Sequence, residues 1–157
     1  MKYLVLNIST VKKLEKLIRN YMNISGVSSV FIVNTAGQML FHRGMTKSDY
    51  FLQSIGALGA GIFNATKSLA KLLKEDYFTS AFQEGKSYSF YYFAVTEDII
   101  LISIYGKNTI VGVVQVTSKK AANDILKIMS EKKEEKLATI GEDFKAEVET
   151  LIDNMFK

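Results

Sequence analysis

Ile24-Ser25-Gly26-Val27-Ser28-Ser29-Val30-Phe31-Ile32-Val33-Asn34-Thr35-Ala36-Gly37 holds a helix stop, a strand and a turn in one short stretch. The helix before it is expected to end near Gly26. Residues 27–34 are β-branched and apolar, and Thr35-Ala36-Gly37 has turn chemistry. Residues 38–43 then resume with Met39 and Phe41 opposed to Leu40 and His42, which predicts a hairpin. Upstream, Val11, Leu14, Leu17, Ile18 and Tyr21 recur at helical spacing, with Ser9 and Thr10 as N-cap candidates. Residues 3–8 read either as an added strand or as an earlier start of that helix.

Downstream of the hairpin, Thr46 or Ser48 is placed to cap a long helix over 49–74. Residues 77–83, 88–95 and 99–105 read as a three-stranded meander with turns at Glu84-Gly85-Lys86 and Thr96-Glu97-Asp98. Ile99 to Ile104 and Val30 to Val33 are apolar on both faces, so these are central strands and the sheet needs helices on each side. From Thr109 the valines favour a strand. A helical wheel nonetheless gathers Ile110, Val111, Val114, Ala121, Ala122, Ile125, Ile128 and Met129 on one side, which predicts a third helix. The charge-dense Lys132 to Lys136 reads as a break. Beyond it Leu137, Ile140, Phe144, Val148, Leu151 and Met155 advance in steps of three or four, as in a separate fourth helix with a narrow stripe.

The 157 residues are enough for one domain with a real core, and 48% hydrophobic with 23% charged side chains excludes a disordered chain. With no cysteine there is no disulfide, thiolate nucleophile or Cys-based metal site. The opening Met1-Lys2-Tyr3-Leu4-Val5-Leu6 is too short for a signal-peptide core, so a cytoplasmic protein without membrane insertion is expected. The net charge of +4 is unevenly placed. From Glu131 on there are eight acidic and five basic side chains, leaving an excess of seven positive charges on the rest. Those lysines are spread out, so solvated helix faces are expected rather than nucleic-acid binding.

The order helix, hairpin, long helix, meander, helix resembles the Roadblock/dynein-light-chain family. Residues 24–37 look like that family's strand-and-turn entry. Ile110-Val111-Gly112-Val113-Val114-Gln115-Val116 looks like the opening of its last helix. The likeness spans about residues 11–129. It implies an α+β, profilin-like sandwich: a five-stranded antiparallel sheet with the second helix on one face and the first and third on the other. An extra C-terminal helix would follow, dividing the chain into residues 1–130 and 131–157. It also implies homodimers in which second helices pack together and third strands pair. Family members are scaffolds or regulators of small Ras-like GTPases, GTPase activation among the implied roles, and no catalysis or cofactor is expected of the domain alone.

The second helix carries two apolar stripes. Phe51, Ile55, Leu58, Ile62, Leu69 and Leu72 form one, and Leu52, Gly56, Gly59, Ala60, Phe63 and Ala70 the other. A glycine inside a helix costs about 0.8–1.0 kcal/mol against alanine, so Gly56 and Gly59 call for close approach by a neighbour. The expectation favours a dimer contact through Leu52, Gly56, Gly59, Ala60 and Phe63, with packing inside the monomer as the alternative. The third strand, with Thr79, Ala81 and Phe82, is expected at a sheet edge covered by its mate. The stripe of Leu137, Ile140, Phe144, Val148 and Leu151 is a partner-binding candidate.

Other chemistry is weakly signalled. Lone His42 lacks companions for a metal or nucleophile relay. Gly85-Lys86-Ser87 looks like the end of a phosphate loop, but Ser80 stands where the earlier glycine belongs and a strand follows. No GTP hydrolysis by this chain itself is expected. Glu134, Glu135, Glu142 and Asp143 sit among lysines on a polar helix face. Tyr88, Phe90, Tyr91, Tyr92 and Phe93 alternate faces of a strand and read as core filling. Two further function classes stand beside the scaffold: a small-molecule-sensing module of profilin, PAS or GAF type, and a cryptic enzyme, which would need convergent titratable groups.

Overall fold

The structure is a computed structural model that describes residues 6–45 and 48–155, with the backbone alone for residues 132–140. The elements are α1 (Ile8–Ser25), β1 (Ser29–Asn34), β2 (Met39–Arg43), α2 (Asp49–Leu72), β3 (Ser80–Glu84), β4 (Tyr88–Ala94), β5 (Ile99–Gly106) and α3 (Val111–Met155).

Asn7, rather than Ser9 or Thr10, caps α1: its side-chain oxygen accepts the Thr10 N–H at 2.8 Å. Ser9 and Thr10 lie inside the first turn. At the other end Gly26 has φ 78° and its N–H reaches the Met22 carbonyl. Ser48 caps α2 through the Phe51 N–H, while Thr46 and residues 3–5 lie outside the described residues. The helix stops two residues short of its expected end, where Lys74 takes a φ of 60° and the Glu75 N–H returns to the Ala70 carbonyl.

All five strands are antiparallel in the order β2-β1-β5-β4-β3, so β3 is an edge strand. Strand alternation divides the core in two. Val30, Ile32, Tyr91, Leu101 and Tyr105 face α1 and α3, packing on Leu14, Ile18, Val114 and Ile125. Phe31, Val33, Tyr92, Ala94, Ile100 and Ile102 face α2 and meet Phe63. The sandwich is thus α2, sheet, then α1 with α3. The buried Tyr21 hydroxyl pins the second layer, lying 2.8 Å from both Ser103 of β5 and Ser118 of α3. On the other face Thr66 donates to the Phe63 carbonyl, which leaves its oxygen to accept from Tyr92 at 2.7 Å.

The C-terminal segment is helical as expected, but it is not a separate element: α3 runs unbroken for 45 residues through the supposed break at Lys132 to Lys136. Lysine and glutamate are strong helix formers, and a charged run with no proline or glycine gives the backbone no reason to stop. Ile110 precedes this helix and is exposed, as is Val111, so the buried line of α3 starts at Val114.

Candidate interaction surface

The small-residue face of α2 is used inside the chain. Gly56, Gly59, Ala60 and Phe63 are all buried, and Leu52 is half-buried against the same core. A Cβ on Gly56 would overlap the carbonyl oxygen of Gly37 in the β1–β2 turn, and one on Gly59 would press the Ile102 side chain. The close approach expected of a second helix is therefore supplied by the chain's own hairpin and sheet. Within one chain these five residues, expected at the dimer contact, pack against the chain's own core. The wheel gives two faces and the cost of glycine demands a neighbour, but neither says which neighbour.

The other stripe is the open one. Phe51, Ile55, Leu58, Ile62, Ala65, Leu69 and Leu72 advance in alternating steps of four and three over three heptads, the spacing of a helix–helix seam. Phe51, Ile55 and Ile62 are half-buried along the sheet side, whereas Leu58 is 67% and Leu72 80% exposed, with Ala65 and Leu69 exposed between them. The sequence names this row, without Ala65, as one of two stripes, and the dimer contact was expected on the other. The glycine face, Leu52, Gly56, Gly59, Phe63 and Ala70, follows the same spacing one residue along, so periodicity alone does not separate the two.

The edge lies on the same side of the molecule as this row. Ala81, Phe90, Ile104 and Tyr77 pack against the α2-side core but are only half-buried. Thr79 is exposed just before β3, and Phe82 is 43% exposed on it. Among the described residues β3 pairs with β4 alone, from Ser80↔Phe93 to Glu84↔Ser89. An apolar helix row and an unpaired strand edge are two surfaces that monomers rarely leave open.

The remaining candidates have structural roles or stay solvated. Gly85, Lys86 and Ser87 make the β3–β4 turn, with the Gly85 N–H on the Tyr88 carbonyl. His42 is exposed on β2. Tyr92 and Phe90 belong to one core and Tyr91 and Phe93 to the other, while Tyr88 is exposed. Among the described residues no cluster of His, Asp and Glu could hold a metal ion, and no helix is long and apolar enough to cross a membrane. Glu142 and Asp143 are exposed on α3, as are Phe144, Val148 and Leu151; the side chains of Glu134, Glu135, Leu137 and Ile140 lie outside the described residues.

The structure is similar to Myxococcus xanthus MglB, at TM-score 0.74 and 29% identity over 82% of this chain and 96% of that one. The gliding protein MglB from Thermus thermophilus has the same fold, at TM-score 0.76 and 22% identity over 83% and 98%. In sequence the chain is 24% identical over 147 residues to an uncharacterized protein of Aquifex aeolicus (strain VF5), covering 91% of each. The Roadblock/LC7 domain model matches residues 13–105, from α1 to the end of β5, well over half of the chain. On that match, and with its sheet and helices in the arrangement described, the chain belongs to the Roadblock/LC7 domain family.

Proposed function

We propose that the chain is a homodimer that acts by binding other proteins, as a scaffold or regulator of a small Ras-like GTPase, without chemistry of its own. The observation that carries the reading is the open heptad row of α2 beside the free edge of β3. Two copies related by a twofold axis would pack row on row and continue the sheet from β3 to β3, using Thr79, Ala81 and Phe82 at the join. Membership in the Roadblock/LC7 family and the kinship with MglB support the GTPase as partner. A surface of exposed leucines and strand backbone suits a protein better than a small molecule, which needs an enclosing pocket.

Light scattering should find the wild type dimeric at micromolar concentration. Replacing Leu58 and Leu69 by glutamate buries charge in the seam and should give folded monomers, because both side chains are exposed in the single chain. Purified Ras-like GTPase should be retained by the dimer more strongly in one nucleotide state, tested with GDP and a non-hydrolysable GTP analogue. A monomeric wild type sinks the dimer, and equal lack of retention in both states sinks the GTPase.

A further inference from the structure

The sequence scatters its lysines, and the fold gathers them. On α1 the buried line is Thr10, Leu14, Ile18, Tyr21 and Ser25, and the side opposite to it holds Lys12, Lys16, Arg19 and Asn23, all exposed. On the proximal part of α3 the buried line is Val114, Ser118, Ala121, Ala122 and Ile125. Opposite it stand Val116, Lys119, Lys120, Asn123 and Lys127, again exposed. The two helices lie side by side on one face of the sheet, so these sides point the same way, out to solvent. Six cations and no carboxylate stand among the residues named there. Asp124 lies in the shallow groove between the helices, Glu131 is held by Lys13 at 3.2 Å, and Glu15 turns aside to Arg43 of β2 at 3.4 Å.

One end of this face is apolar. Ile24 lies in the last turn of α1 and Ile110 just before α3, and Thr109 ties the two ends by donating to the Gly26 carbonyl at 3.1 Å. Ile24 is 57%, Ile110 69% and Val116 73% exposed, with Val113 at 36% one turn along. Lys107 is exposed in the turn just before them. These aliphatic side chains lie on the side of the sheet away from α2, so the α2 contact leaves them open. A nucleic acid would account for the cations but not for bare aliphatics, and no aromatic ring stands among these residues to stack on a base. Cations around an exposed aliphatic patch match the polar headgroups and acyl boundary of an anionic lipid layer.

We propose that the outer face of α1 and α3 seats on an anionic membrane surface, its lysines over the headgroups and Ile24, Ile110, Val113 and Val116 at the acyl boundary. The contact is peripheral, since no described helix is long and apolar enough to cross a membrane. Residues 142–155 carry five carboxylates against Lys145 alone, beginning 26 residues and about 40 Å along α3 from Val116. Their repulsion lifts that end of the helix and leaves the apolar end down. The site belongs to each chain singly and rests on neither the dimer nor the GTPase. In the twofold pair, both faces fall on one side of the joined sheet and bind together.

The test is co-flotation of the full chain with vesicles of phosphatidylcholine alone and of phosphatidylcholine mixed with phosphatidylglycerol. Binding to the anionic vesicles alone is expected, weakening about tenfold or more between about 50 mM and 500 mM NaCl. Lys16→Glu with Lys120→Glu should weaken it by about tenfold or more. Ile110→Ser with Val116→Ser should also weaken it about tenfold, with the charges untouched. Phe144→Ser with Leu151→Ser, on the distal part of α3, should leave it unchanged. All six side chains are exposed, so each variant should fold, which circular dichroism checks. Equal binding to neutral vesicles, binding to neither, full binding by the Ile110 and Val116 variant, or a loss in the Phe144 and Leu151 variant would each overturn the proposal. Tighter retention by duplex DNA than by the anionic vesicles, lost with the same lysine pair, would overturn it by making the face a nucleic-acid site.

Discussion

Tyr21 shows how one hydroxyl holds two layers together. It is 4% exposed and lies between Ser103 and Ser118, both fully buried, so its loss strands two hydroxyls at once. Tyr21→Phe should cost about 1–3 kcal/mol at neutral pH, the penalty of leaving buried polar groups without partners, read by urea unfolding. Burial also pushes the Tyr21 phenol above its ordinary 10.0, a rise that hydrogen bonds from Ser103, Ser118 and Ser25 partly offset. Tyr92 is raised by burial against its bond to Thr66. Tyr105 is raised by burial and then by neighbouring Tyr21, Tyr91 and Glu84. In each case the fold prefers the neutral phenol, so this stability is complete below pH 10.0 and drains away as pH climbs from there through the raised folded values. Stability should therefore drop on the alkaline side of 10.0, and less steeply in Tyr21→Phe than in the wild type. A slope unchanged by that substitution would contradict the assignment.

At the scale of elements, α2 shows why a helix can carry glycine in its middle. Gly56→Ala puts a methyl against the backbone oxygen of Gly37, which cannot turn aside. Gly59→Ala meets the end of the Ile102 side chain, which can. Overpacking of this kind costs about 1–3 kcal/mol, while the gain in helix propensity is about 0.8–1.0 kcal/mol. Gly56→Ala should thus be clearly destabilised, and Gly59→Ala near neutral or mildly so. Equal losses in thermal unfolding would mean that the Gly37 backbone and the Ile102 side chain yield alike, and would contradict this reading.

The sheet was legible in the sequence because alternation and turn chemistry are local: Val30 to Val33 and Ile99 to Ile104 declare two covered faces without reference to anything distant. The inward face of α2 was not. Periodicity finds stripes, but small residues mark close approach by any backbone, and here that backbone is Gly37 of the same chain. The unbroken α3 was hidden for another reason, since charge density looks like an end while lysine and glutamate propagate a helix. Asn7, Ser9 and Thr10 are all good caps within a few residues of each other, and local preference does not rank them.

The whole molecule poses the question of where its domain ends. The family match stops at residue 105, yet Val114, Ala121, Ala122 and Ile125 of α3 complete the core against α1 and the sheet. The proximal half of α3 is therefore indispensable. Past Met129 the balance changes: every residue whose side chain is described there, Ser130, Glu131 and 141–155, is exposed. The Lys13–Glu131 ion pair is more than half exposed at both ends, and pairs of that kind contribute little. We infer that residues 131–157 are an appendage to a complete unit, its helix propagated from the body, which spares it the costly nucleation step. A chain ending at Met129 should remain folded and α2-linked as a dimer, with unfolding cooperativity intact and a loss of stability of about 1 kcal/mol or less. Circular dichroism with sedimentation decides it: an insoluble or unfolded product would make the distal helix part of the core.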